Sequence, residues 1–143
     1  MALHLIKLCV GAESIDDLRD WVAERTSLAI AAGLPPHSVH VTRMSPKRSA
    51  EILDGGSLYW VIKGVLSARQ QLIGIEDFTD NDGIGRCRLM LAPDVIETMP
   101  QPKRPFQGWR YLETKDAPAD LMAGGLGEMP ADLKRELAEL GLL

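Results

Sequence analysis

The chain has 143 residues, enough for one domain with a real core, and its apolar share of 45% and charged share of 25% are those of a globular protein. A formal charge of −4 argues against a protein that coats nucleic acid by bulk charge, while leaving room for a local basic patch. No apolar run reaches the roughly 18 residues of a membrane span, and MALHLIKLCVG lacks the parts of a signal peptide, so a cytoplasmic protein without membrane contact is expected.

Residues 3–10 alternate, with His4, Ile6, Leu8 and Val10 on one face and Leu3, Leu5, Lys7 and Cys9 on the other, which predicts a strand ended by Gly11. Ser14 caps a helix, with Asp17 three residues later. Ile15, Leu18, Trp21, Val22, Leu28, Ala29 and Ala32 then recur at helical spacing up to Gly33 and Pro35-Pro36. A short strand over 38–42 turns Val39 and Val41 inward. Ser45-Pro46 reads as a helix start, with Ser at the cap and Pro at the first helical position. The helix it opens ends at Gly55-Gly56 and is so short that packing must hold it.

Residues 57–75 are the longest run of strand character and organise the rest. Leu58 to Ile62 is apolar on both faces, so it belongs in a sheet covered on both sides. Lys63 is expected on a strand face between Val61 and Val65, with Gly64 as a bulge, bend or break between two strands. Asp80-Asn81-Asp82-Gly83 is a turn signal that pairs this run with a return strand over 84–91. Pro93 ends that strand, and 95–99 is a candidate for one more. Pro100, Pro102 and Pro105 predict an extended segment with little hydrogen bonding of its own. FQGWRYL follows, and Pro130 opens a last helix with Leu133, Leu137 and Leu140 as its apolar stripe. Residues 124–143 are therefore expected as a docked loop and helix. Together the elements predict a single α+β domain over 1–143: a mixed, mainly antiparallel sheet, strongly curved or partly closed, with two or three helices packed on it.

Two basic clusters are candidate binding sites. Arg43, Lys47 and Arg48 surround the predicted start of the second helix, where unpaired N–H groups suit a phosphate; the competing reading has them as surface charges paired with Glu51 and Asp54. PQPKRPFQGWRYL carries Lys103, Arg104 and Arg110 among Phe106, Trp109 and Tyr111, and Arg86 and Arg88 join it from the hairpin. Charge for phosphate and rings for bases suit single-stranded RNA or a nucleotide; the competing reading makes the rings core. Lys63 is either a buried amine of lowered pKa or a stem with its head in water. His37 and His40 fall on opposite strand faces, and neither CxxC nor HExxH occurs, so no metal is expected. No cofactor motif is present. Cys9 and Cys87 are read as buried and reduced.

The strings HLIKLCVGAESI, HVTRMSPKR, LDGGSLYWVIKGV, GIGRCRL and PQPKRPFQGWRYL together resemble an uncharacterised bacterial family described as a domain of unknown function. That resemblance implies a small cytoplasmic bacterial protein and brings no activity or site residue. The helix followed by a β-meander and an aromatic-basic segment also resembles PUA and ASCH pseudobarrels, which implies RNA or modified-base binding by analogy of fold; the G-x-K-x-x-E-x-R string of ASCH domains is absent. The reading that results is a binding module for RNA or a nucleotide-like anion, through a groove of Arg43, Lys47, Arg48, Lys63, Arg86, Arg88, Lys103, Arg104, Trp109 and Arg110. Its rivals are a small enzyme acting on an anionic molecule, with Lys63 or His40 as proton carrier, and an oligomer joined through the C-terminal helix.

Overall fold

The computed structural model describes residues 3–121, and the expected C-terminal helix with Leu133, Leu137 and Leu140 lies outside them. Seven strands and two helices alternate along the chain: β1 (Leu3–Leu8), α1 (Ile15–Ala31), β2 (Ser38–Thr42), α2 (Ser49–Leu53), β3 (Ser57–Ile62), β4 (Val65–Thr79), β5 (Gly85–Leu91), β6 (Ile96–Pro102) and β7 (Trp109–Glu113). The fold is α+β. They form one mixed sheet in the order β2-β5-β4-β3-β1-β7, with β6 also paired to β4. Only β1 and β3 run parallel. Parallel neighbours require a crossover, and α1, β2 and α2 supply it.

β3 is buried at all six positions, as a strand apolar on both faces must be. Leu58, Trp60 and Ile62 join the larger core with Leu3, Leu5 and Cys9 of β1, Leu18 and Val22 of α1, and Ile52 of α2. Tyr59 and Val61 join a second cluster on the opposite face with Ile6, Leu66 and Leu112. The segment after β7 closes over that face: Arg69 of β4 makes a two-point bond to Asp120 at 2.7 and 2.8 Å, and His4 Nδ1 accepts from the Ser57 N–H at 3.0 Å. β4 is long because it serves two sets of partners. Its first half lies between β3 and β6, and its second half pairs with β5 across the Asp80–Gly83 turn. Asp80 Oδ1 accepts from the N–H groups of Asp82 and Ile84, which holds that turn.

Several sequence expectations are corrected. The sheet is not closed into a barrel: β2 pairs only with β5, and β7 only with β1. Its two ends are bridged by side chains of β7 bonded to the backbone of the loop over 43–48, and not by a backbone ladder. Trp109 Nε1 donates to the Met44 carbonyl at 2.7 Å, and the Tyr111 hydroxyl accepts from the Lys47 and Arg48 N–H groups at 3.0 and 3.3 Å. Those two bonds explain why α2 does not begin at Ser45-Pro46. The N–H groups expected in its first turn point at Tyr111, and the helix starts at Ser49 with Arg48 as its cap. Lys63 is not on a strand face. It and Gly64 are the two left-handed residues of the β3–β4 hairpin turn, with φ of +49° and +78°. The prolines at 100 and 102 lie in β6 and not in an unpaired segment, because an edge strand tolerates a missing N–H. In α1 only Leu18 and Val22, of its first two turns, are buried, while Leu28 and Ile30 of its second half, and Ala32 after them, are exposed.

Candidate functional site

Between α1 and the end of β1 lies a cleft of about 480 Å³. β1 supplies Lys7, Leu8, Cys9 and Val10; α1 supplies Trp21, Glu24, Arg25 and Leu28; β2 and β3 supply His40 and Trp60. Register sets the floor. Lys7 lies opposite Trp60 of β3 and opposite Trp109 of β7, and cross-strand partners share a face, so its ammonium stem rises between two indoles. Trp60 is fixed by its Nε1 bond to Gln70 at 3.0 Å, and Gln70 is held in turn by the Ala92 carbonyl at 2.9 Å. His40 stands edge-on to Trp60, with centroids 5.1 Å apart and planes at 89°. On the other wall the Arg25 guanidinium lies 5.9 Å from the Trp21 ring centroid.

The electrostatics follow from burial. Desolvation lowers the Lys7 ammonium below its ordinary range. It lowers His40 to about 4, with Lys7 and Arg25 pushing the same way, so the imidazole is neutral at pH 7. The Cys9 thiol is pushed up to about 11 by the same burial and stays protonated. His40 Nε2 is buried without a hydrogen-bond partner. Among the described residues, Lys7 and Arg25 have no carboxylate within ion-pair distance, although seven other basic side chains of the described chain do: Arg19, Arg48, Lys63, Arg69, Arg86, Arg88 and Lys115. Two unpaired cations, one acid on the rim and the half-buried Trp21 ring, above a floor in which Trp60 is buried, make a positive, partly apolar hollow. No group of three or more metal-ligating side chains occurs among the described residues.

The residues expected to form one groove fall into separate places. Lys47, Arg48 and Trp109 meet at the loop over 43–48, where Trp109 and Tyr111 contact edge to face at 5.0 Å and Arg48 lies 5.6 Å from the Tyr111 ring centroid. Arg48 is also paired with Glu51. Arg43 and Arg86 line a shallow hollow with Asp77 and Phe78. There Arg86 is paired with Asp80, and Arg88 stacks on Phe78 at 3.8 Å and pairs with Glu76 at 2.8 Å. Arg110 alternates to the opposite sheet face from Trp109 and lies over Phe106. Lys103 bonds through its N–H to Gly64 at the β3–β4 turn, where Lys63 is exposed and 3.8 Å from Glu13; Arg104 is exposed next to it. Trp109 is half-buried against the larger core, so it is both core and rim. Sequence reasoning named His40 and Trp109 and missed Lys7, Arg25 and the two indoles Trp21 and Trp60. Lys7 had left a signal: it is the one charged residue on the strand face of Leu3, Leu5 and Cys9.

The model of a protein family of unknown function, DUF1489, matches residues 5–143. The chain belongs to that family. No curated protein and no solved structure matches it. No helix among the described residues is long and apolar enough to cross a membrane.

Proposed function

We propose that this protein binds a small organic anion carrying a planar ring, nucleotide-like in that sense, in the cleft between α1 and β1. The observation that carries this reading is Lys7. It is half-buried between Trp60 and Trp109, near Arg25, and no carboxylate of the described residues neutralises it. A desolvated cation costs free energy until a counter-charge joins it. The hollow has the volume of a small-molecule site, roughly 300–1,000 Å³, and the usual mix of apolar wall and few polar groups. The half-buried Trp21 offers ring surface, Trp60 is packed beneath the floor, and Glu24 on the rim opposes a ligand of high negative charge.

An RNA reading draws on the strip that continues from Lys7 to Trp109, Tyr111, Lys47 and Arg48. It is the weaker one, because Arg48, Arg86 and Arg88 already face carboxylates and would have to exchange them for phosphate. The test is a titration followed by tryptophan fluorescence, with AMP, terephthalate and a short single-stranded RNA as ligands. The expected result is saturable quenching by a planar anion that weakens with salt and weakens about tenfold in Arg25→Gln, the loss of one charge-assisted contact. No saturable signal at low salt, or an unchanged affinity in Arg25→Gln, overturns the reading. Tighter binding of RNA than of AMP moves the site to the strip.

A further inference from the structure

We infer that Lys7 is a carbonyl-reactive amine: the cleft is built to take an anionic aldehyde or keto acid, anchor its carboxylate or phosphate on Arg25, and present its carbonyl to the Lys7 Nζ. The inference rests on the binding reading above and gives the two cations of that site different work.

The two cations differ in chemistry. A guanidinium keeps its proton under all biological conditions and presents a planar fork that fits a carboxylate. A lysine amine gives up its proton when taken out of water. Arg25 is exposed on the helix and leans on Trp21, where it stays charged and free to hold an anion. Lys7 is on the strand floor, half-buried between indoles, with no carboxylate of the described residues to stabilise its ammonium form. Desolvation accordingly lowers it. The other lysines within the described residues contrast with it. Lys63 and Lys115 are exposed and lie beside Glu13 and Glu113, and Lys47 and Lys103 are outside the cleft. His40 is neutral and lines the same cleft, its Nε2 buried and without a hydrogen-bond partner among the described residues.

The step balances without a co-reactant. The Nζ lone pair forms a bond to the carbonyl carbon while the carbonyl π pair moves to oxygen. The carbinolamine then loses that oxygen as water, with the two protons of the amine, and leaves a neutral imine. No redox change occurs, and water is the sole product released.

The experiment uses the full chain with 4-carboxybenzaldehyde as probe, cyanoborohydride to reduce the imine, and peptide mass mapping of every lysine. Terephthalate, which has the same ring with a second carboxylate in place of the aldehyde, is the competitor, and its own binding is read by tryptophan quenching. The expected result is a principal adduct on Lys7, formed several-fold faster than on the exposed Lys63, slowed in Arg25→Gln and suppressed by terephthalate. Labelling that follows exposure, with Lys63 and Lys115 ahead of Lys7, overturns the inference. If terephthalate binds saturably while Lys7 stays unmodified, the binding reading survives and the amine chemistry falls. If terephthalate does not bind and does not protect, both fall. In Lys7→Arg the principal adduct should disappear, and an undiminished total yield of adduct overturns the inference.

Discussion

Gly55 and Gly56 are adjacent, yet the structure assigns them opposite sensitivities. Gly55 has a φ of +90° and no atom within 4 Å of where a Cβ would stand. Alanine there pays only the left-handed penalty, about 1–2 kcal/mol. Gly56 has ordinary φ but is wedged between two backbone oxygens: a Cβ would lie 2.2 Å from the Leu3 carbonyl and 2.3 Å from that of Ile52. Ordinary carbon–oxygen contacts lie at about 3.3 Å. The chain would have to open by about 1 Å against β1 and α2 at once. That movement strains or breaks the Gly56 N–H bond to Ile52 at 2.7 Å and the Leu72 N–H bond to Gly56 at 3.0 Å. Overpacking costs about 1–3 kcal/mol and each buried group left unpaired a further 1–3, so Gly56→Ala should lose roughly 4 kcal/mol or more. For a domain of ordinary stability, about 5–15 kcal/mol, that is most of the reserve. Urea unfolding followed by tryptophan fluorescence measures both variants, and the expected order of midpoints is wild type, Gly55→Ala, then Gly56→Ala far below. A Gly56→Ala protein within about 1 kcal/mol of wild type, or a more damaging Gly55→Ala, would refute the close approach of α2, β1 and β3 on which the larger core depends.

Two further outcomes follow from the polar groups. His40 is held at about 4 in the folded chain, against about 6.5 when unfolded, so the unfolded chain takes the proton first as pH falls. The His40 contribution should be level above pH 7, fall by about 2–3 kcal/mol between pH 6.5 and 4, and flatten below; Lys7 and Arg25 are the charged groups acting on the ring, and His4 adds in the same direction. The difference between wild type and His40→Phe in urea midpoints across that range isolates His40, and parallel curves would contradict it. Asp120→Asn removes one charge from the pair that ties the chain after β7 to β4, and should cost about 1–3 kcal/mol and raise amide exchange over residues 114–121 more than in β3. The Arg69 bond holds the Asp120 carboxyl below its usual range, so the pair's contribution is present at neutral pH and is lost as pH falls through that lowered value. Uniform exchange changes across the chain would argue against a local tie.

The strands, their turns and the α+β class were readable because each depends on near neighbours in sequence. Alternation in residues 3–10, the doubly apolar run at Leu58 to Ile62 and the Asp80–Gly83 turn express rules with a reach of a few residues. The errors came where a distant group overrode a local preference. Ser45-Pro46 carries a sound helix-start signal, but Tyr111 takes the N–H groups the first turn would have used. Lys63 fits a strand by alternation, but the hairpin needs two left-handed residues and Lys63-Gly64 are they. The basic residues also obeyed local pairing, Arg48 with Glu51 three residues on and Arg86 with Asp80 six away, which dispersed the groove expected of them.

The sequence by itself determined that this is an α+β, sheet-based fold with a buried β3, because periodicity dictates which side chains a strand must hide. Tertiary structure alone decided where a ligand could sit. The cleft lies where the Trp21, Glu24, Arg25 and Leu28 face of α1 meets the end of β1, and parallel and antiparallel registers set Lys7 between Trp60 and Trp109. Those partners are about fifty and a hundred residues from Lys7 in the chain, and no rule of short range links them.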